Sequence, residues 1–231
     1  MICPKSPVVI GGSAETVGAD RGYEVDCLGR PVIPASSFKG RVRATLESLA
    51  RALGLNVCTP PRPDGLCRPN PFTADPLSQL CVACRVFGNP WLPAPVVCSD
   101  FVAKVVTSTD IRAAESDDFI RMVRTHVGIS RQLGTAQEGR LYSTAIPGRF
   151  VGEGQVVYSG ELSGELAEED LGMLLIVMKS VAFIGGGKNH GLGAVTVNIT
   201  TLQLEDEPPL SGDEAQSKGL VIAETALLGR R

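Results

Sequence analysis

The sequence predicts an α+β fold. Apolar stretches suited to strands alternate with two stretches of helical periodicity, in the order strand, helix, strand, strand, helix, strand. Two long segments that carry no such periodicity interrupt that order. The chain has 231 residues, of which 43% are hydrophobic and 20% charged, so wholesale disorder is excluded. Aromatic residues reach only 5%, which makes the expected core mostly aliphatic.

Residues 7–12 (Pro-Val-Val-Ile-Gly-Gly) read as a short apolar strand ending in a turn. Residues 13–34, rich in glycine and charge, read as a loop that ends at Ile33-Pro34. Residues 36–53 form the clearest helix, because Phe38, Val42, Leu46, Leu49 and Leu53 recur on one helical face. Ser36 or Ser37 suits its N-cap, and Gly54 sits where a glycine stop belongs. Residues 58–90 hold seven prolines and four cysteines, a density that excludes regular structure and predicts an insertion stapled by something other than a core. A strand is expected within residues 95–107, and polar, basic, hairpin-like pieces within 108–150 around Leu141-Tyr142. Residues 154–162 read as a strand. A second helix runs from Leu166 to Phe183, with Leu171, Leu174, Leu175, Met178 and Val181 on one face. Its start carries Glu165, Glu168, Glu169 and Asp170, where the helix dipole favours acids. A glycine-rich loop, 185–193, then leads to an alternating strand at 194–199. Without the two insertions, this order is the split βαβ of the ferredoxin-like fold, which RNA-recognition domains share. The expectation is therefore one RRM-like domain over residues 1–203, with insertions at 58–90 and 108–150, and an acidic then apolar tail at 204–231.

The net charge is −3, which argues against a general nucleic-acid coat, but the charge is segregated. Arg30, Lys39, Arg41, Arg43 and Arg51 face a single acid, Glu47, between residues 30 and 53. Arg121, Arg124, Arg131, Arg140 and Arg149 face only Glu138 between 119 and 150. Two basic segments on an otherwise acidic chain suggest a local polyanion track, or else two solvated faces. The most apolar stretch, Leu171 to Ile184, contains Lys179 and falls short of the roughly 20 apolar residues a membrane span needs. No export signal is evident, so a cytoplasmic protein without membrane partners is expected, with its seven cysteines used as metal ligands or free thiols.

Four constellations could carry chemistry. At the first helix, Lys39, Arg41 and Arg43 occupy the opening turns, where each cation costs about 0.3–1 kcal/mol against the dipole. An anion at those amides reverses that sign, which points to a phosphate held by Ser36, Ser37 and Lys39; the alternative is a serine-capped helix whose bases face water. The run Gly185-Gly-Gly-Lys-Asn-His-Gly-Leu-Gly193 is neither a Walker loop nor a dinucleotide fingerprint. Its five glycines, with Lys188, Asn189 and His190 interleaved, fit close approach to a sugar-phosphate chain at Gly186 and Gly187, or else a flexible turn. Cys58, Cys67, Cys81 and Cys84 suit a tetrahedral structural zinc, with free thiols or substitution of one ligand by Cys98 as alternatives. Glu15, Asp20, Glu24 and Asp26 are ordinary surface acids unless a phosphate lies beside them, in which case one can hold magnesium. His126 and His190 each read as structural or merely exposed, with a general acid–base role for one or the other as the alternative.

The motifs, taken together, resemble the RAMP (repeat-associated mysterious protein) superfamily, and within it the backbone subunit of type III CRISPR effector complexes. Ile33-Pro-Ala-Ser-Ser-Phe-Lys-Gly-Arg-Val-Arg43 resembles the family's Ile-Pro-Gly-Ser-Ser-Leu-Lys-Gly helix start, with Ala35 and Phe38 replacing Gly and Leu. Cys81-x-x-Cys84-Arg-Val-Phe-Gly88 is similar to its Cys-x-x-Cys-x-x-Phe-Gly segment. Val127-Gly-Ile-Ser-Arg-Gln-Leu-Gly-Thr-Ala136 and Leu141-Tyr142 resemble the approach to its thumb hairpin. Ile184-Gly-Gly-Gly-Lys-Asn-His-Gly-Leu-Gly193 is similar to its glycine loop.

The resemblance implies a hand-shaped subunit whose copies stack along a CRISPR guide RNA together with other effector subunits. It implies a thumb that crosses the duplex of guide and target RNA. Guide contacts would come from Ser36, Ser37, Lys39, Arg41, Arg43, Gly186, Gly187, Lys188, Asn189 and His190, and contacts near the thumb from Arg124 and Arg131. In catalytic members an aspartate in the loop before Ile-Pro cuts target RNA with a divalent metal such as Mg2+. Asp20 and Asp26 stand in those places here, followed by Gly29 and Ile33-Pro34. The expectation is a metal-dependent endoribonuclease; the alternatives are a guide-binding subunit without catalysis, a metal-independent guide-processing ribonuclease using a histidine, and a zinc-stapled protein with no RNA role.

Overall fold

A computed structural model describes residues 1–221 apart from 13–17, 61, 71, 74, 109, 116–117, 151–153, 206–207, 213, 215–216 and 219. Glu15, among the candidate acids, and the apolar end of the tail at Ile222-Ala223 lie outside the described residues.

The chain begins with β1 (Ile2–Pro4), β2 (Gly11–Gly12), β3 (Gly22–Tyr23) and β4 (Val32–Ile33), which leads into α1 (Ala35–Ala52). A cysteine-bearing segment follows and ends in α2 (Val82–Phe87). Then come β5 (Val96–Cys98), β6 (Phe101–Val106), β7 (Ile111–Ala113), β8 (Phe119–Ile129), β9 (Ala136–Phe150), β10 (Gln155–Ser159) and β11 (Leu162–Gly164). After α3 (Glu168–Ser180) the chain forms β12 (Val195–Val197), β13 (Thr201–Leu202) and β14 (Leu210–Ser211).

The main sheet has the order β12-β1-β10-β6-β4, with β7 added to β6. Every pairing in it is antiparallel. The arrangement is mixed α+β and compatible with the ferredoxin-like class. Phe101, Ala103 and Val105 alternate inward along β6, beside Ile2, Tyr158, Val195 and Val197 of the neighbouring strands. Against them pack Phe38, Val42 and Leu46 of α1 and Leu174 and Val177 of α3. The Phe38 ring lies 4.5 Å from that of Phe101. Burying each such side chain contributes about 1.5–3 kcal/mol.

The first strand differs from its sequence expectation. It is Ile2–Pro4, paired with Val195–Val197 and Tyr158, whereas the apolar run 7–12 pairs only at its last two glycines. Val8 and Val9 are buried for another reason: the glycine loop lies against them, with Gly186 N–H donating to Val9 O and Gly193 N–H to Pro7 O. The first helix ends one residue early, which leaves Leu53 outside it and exposed. Its N-cap is Pro34, without a side-chain cap; the cap comes from elsewhere, as Asp100 Oδ1 accepts from Ala35 N–H at 2.7 Å.

The basic segment forms a single long hairpin of β8 and β9, in register from Phe119↔Phe150 to Ile129↔Ala136 with bulges near each end. Most of β8 is exposed. The hairpin is tied down on the outer edge of β9. Arg21 pairs with Thr144, Arg21 N–H donates to Ser143 O, and Ala145 N–H donates to Arg21 O. A second apolar cluster, Val9, Ile146 and Leu192 with Tyr23, lies where the chain after β1, the hairpin base and the glycine loop meet.

Candidate nucleic-acid interface and metal centre

Four cysteine sulfurs converge within 4.8 Å of one another: Cys58, Cys67, Cys81 and Cys84. The Cys58–Cys84 separation is 3.4 Å and the Cys58–Cys81 separation 3.6 Å. Zinc–sulfur bonds of about 2.3 Å in a tetrahedron require sulfurs about 3.8 Å apart, so the donor set fits zinc. Cys81 caps α2 and Cys84 lies in its first turn, which places both sulfurs on one side of the helix start. Cys81 N–H donates to Cys67 Sγ at 3.3 Å, joining the two halves of the motif.

The hydrogen bond from Cys84 holds the Cys81 thiol down to about 4, and the same bond, with burial, pushes Cys84 up. The pair shares a negative charge that a metal would neutralise. Cys98 stands apart, bonded to the Ser99 carbonyl, so the substitution considered from the sequence does not arise. Four thiolates close the coordination sphere, so the group would be structural.

The cysteine cluster is anchored to both main helices. Arg43 of α1 donates to Gly88 O at 3.0 Å, approaches Cys84 Sγ at 3.8 Å and pairs with buried Glu47. Arg85 of α2 makes a two-pronged bond to Asp170 of α3, at 2.7 and 2.6 Å.

The sequence reading gave the serine–lysine helix start to a phosphate. Its first amide is already bonded to Asp100, and the N–H groups of Ser37 and Phe38 donate to Pro34 O. Lys39 Nζ reaches sideways to Val96 O at 3.0 Å. Ser36 is exposed, while Ser37 and Arg41 are half-buried. Arg43 points into the cysteine cluster. This end of the helix presents fewer groups to a ligand than its motif suggests.

A denser assembly lies midway along the hairpin, where Arg124, Thr125 and His126 face Thr144, Ser143 and Tyr142. Asp20 Oδ2 accepts from Ser143 N–H at 2.6 Å and from Ser143 Oγ at 2.9 Å. Those two bonds, the backbone one foremost, hold the Asp20 carboxyl below its usual 3.8. Among the described residues no group bonds Asp20 Oδ1, and the residue is exposed. Asp26 differs: burial pushes its carboxyl up, but the Arg30 guanidinium and the Arg30 and Leu28 N–H groups outweigh burial and leave it lowered. Both Asp26 oxygens are committed to that turn, which they shape.

From β8, Arg124 donates to His190 O at 3.4 Å, linking hairpin and glycine loop. His126 stacks on Tyr142 and on His190. Lys188, Asn189 and His190 form a single exposed turn between Gly187 and Gly191, both with positive φ. Arg131 lies exposed at the hairpin tip.

The loop glycines serve the chain itself. A Cβ on Gly185 would stand 2.3 Å from Val9 O, and one on Gly193 2.2 Å from Ile184 O. Gly186 has its nearest neighbour at 3.9 Å and Gly191 has none within 4 Å. The sequence reading missed Arg21, Tyr142 and Ser143 as members of this assembly. The adjacency of Arg21 to Asp20 was the only signal for the first; the others require the hairpin register.

No helix among the described residues is long and apolar enough to cross a membrane. The sequence profile of the RAMP superfamily matches residues 4–196. No curated protein matches the chain significantly.

Proposed function

This chain belongs to the RAMP superfamily, and on that premise we propose that it is a guide-RNA-binding backbone subunit of a type III CRISPR effector complex that also cuts target RNA paired to the guide. The observation that carries the reading is that one hairpin holds Asp20 through Ser143 of β9 and the glycine-loop turn of Lys188 and His190 through Arg124 of β8, which sets cations and one ionised carboxylate along a single exposed element. We read the main sheet with α1 and α3 as a ferredoxin-like palm, residues 58–90 as its zinc-bearing insertion and 108–150 as its thumb. Copies of the chain and other effector subunits would stack along the guide. Arg124, Arg131, Arg41, Lys188, Asn189 and the Gly186–Gly187 backbone would follow its phosphates, with Ser36, Ser37 and Lys39 beside them. Base pairing would then read the sequence while the protein grips backbone and shape.

In the cleavage step, the ribose 2′-oxygen attacks the adjacent phosphorus and the 5′-oxygen leaves, giving a cyclic phosphate and a 5′-hydroxyl. Asp20, ionised at neutral pH and fixed by Ser143 through Oδ2, would use Oδ1 to orient the attacking hydroxyl or to ligate a cation. Magnesium sites commonly use one or two carboxylates and complete the shell with substrate phosphates, which a single Asp20 satisfies. A bound divalent ion would supply charge neutralisation at the scissile phosphate. Asp26, bonded to Arg30, would set the loop that carries Asp20.

The test is Asp20→Asn in the assembled complex. The variant's amide oxygen can still accept both Ser143 bonds, while the charge and the second acceptor oxygen are lost. Cleavage is expected to fall at least about a hundredfold with guide binding unchanged. Undiminished cleavage would leave Asp20 no catalytic role, and an unaltered complex that binds guide and target without cutting would leave the second reading, a binding subunit without chemistry. RNA binding itself is expected to weaken steeply with salt, since it rests on phosphate contacts.

A further inference from the structure

Arg21, Tyr142, His126 and His190 form a column of flat groups on the outside of the molecule. The Arg21 guanidinium carbon lies 5.0 Å from the Tyr142 ring centre. Tyr142 and His126 are 5.0 Å apart at 21°, and His126 and His190 are 5.1 Å apart at 25°. Tyr142 and His190 make no ring contact with each other among the described residues, so His126 is the middle plate. The column ends in His190, which is exposed and sits in a turn that Arg124 fixes through its carbonyl.

We propose that the outer face of His190 is a stacking platform for one unpaired nucleobase of the bound RNA. The inference rests on the RNA-binding reading and deepens it: the glycine loop takes a base as well as the neighbouring phosphates. Rings of RNA-binding proteins commonly stack on splayed bases, and such stacking tolerates any base identity. Two features favour it here. The imidazole is already backed by His126, and Arg124 holds the backbone of its turn, so less ordering cost remains on binding. Lys188 in the same exposed turn and Arg124, bonded to the His190 carbonyl, supply cations for the neighbouring phosphates. Asp20 adjoins Arg21, at the opposite end of the column. The base held at His190 therefore belongs to a nucleotide other than the one whose phosphate Asp20 meets.

The test uses the full chain and single-stranded RNA oligonucleotides carrying 2-aminopurine at each position in turn. Binding to the wild-type protein is expected to quench the fluorescence at one position. His190→Ala is expected to abolish that quench and weaken binding about five- to a hundredfold, whereas His190→Phe retains both. An abasic residue at the quenched position should make wild type and His190→Ala bind alike. Equal quenching and affinity in His190→Ala would overturn the platform while leaving the RNA reading intact. So would failure of a natively folded His190→Phe to restore them. Failure of the wild-type chain to bind any RNA would overturn the RNA reading, and this inference with it.

Discussion

Replacing Asp170 with alanine tests how the cysteine cluster is held to the rest of the molecule. The Asp170 side chain is 6% exposed and that of Arg85 21%, and the two meet through a two-pronged bond. Removing one partner of a buried pair costs about 3–5 kcal/mol, because the other charge remains without compensation. Arg85 is one-fifth open to water and keeps its bond to Leu80 O, which places the cost at the lower end, about 3 kcal/mol. In a chain of this length that corresponds to a fall in Tm of about 6–12 °C. Arg85 lies one residue after Cys84, so the pair also joins the metal ligands to α3. The cost should therefore be largest with zinc bound and shrink once a chelator has removed it. Thermal unfolding followed by circular dichroism, with and without chelator, reads both quantities. A loss below 1 kcal/mol, or one that is the same in both conditions, would refute the reasoning.

Two further outcomes follow from other contacts. Gly193→Ala should destabilise the fold by more than about 2 kcal/mol in urea titration, because φ is +77° and the new Cβ meets Ile184 O; Gly191→Ala, with equally positive φ but open space, should cost only about 1–2 kcal/mol. The Asp20 carboxyl is lowered in the folded protein, so its hold on Ser143 is complete above the usual 3.8 and fades only as pH falls through the lower folded value. An NMR titration of the Ser143 amide should accordingly show its midpoint below 3.8, and a midpoint above 4 would contradict the assigned bonds.

Much of the architecture was legible from local chemistry. The 3.6-residue spacing of Phe38, Val42 and Leu46 located α1, and the acids at its start located α3, within a few residues. The cysteines were legible from their number in a proline-dense segment, but the expectation that this segment lacks regular structure and core contacts fails at its end, where α2 sends Val82, Ala83, Val86 and Phe87 into the core. The first strand was not, since Ile2–Pro4 is defined by its partners in β10 and β12 rather than by any alternation of its own. The hairpin was foreseen only in fragments: β8 is exposed on both faces, so the burial that normally imprints a period of two is missing. At the candidate site, the glycine loop and Asp20 were visible as motifs. Their union was not, because it depends on Ser143 and Tyr142, which lie more than a hundred residues after Asp20 and before the glycine loop. Separation in sequence, 65 residues, also hid the real cap of α1, which comes from Asp100.

That cap has an electrical consequence. The positive pole of the helix that bears the most recognisable motif is already answered from within, by a carboxylate belonging to the protein. A passing polyanion would feel little pull from the peptide dipoles there. Whatever attraction that end of the helix exerts must come from its side chains, whose influence fades as ions accumulate around them.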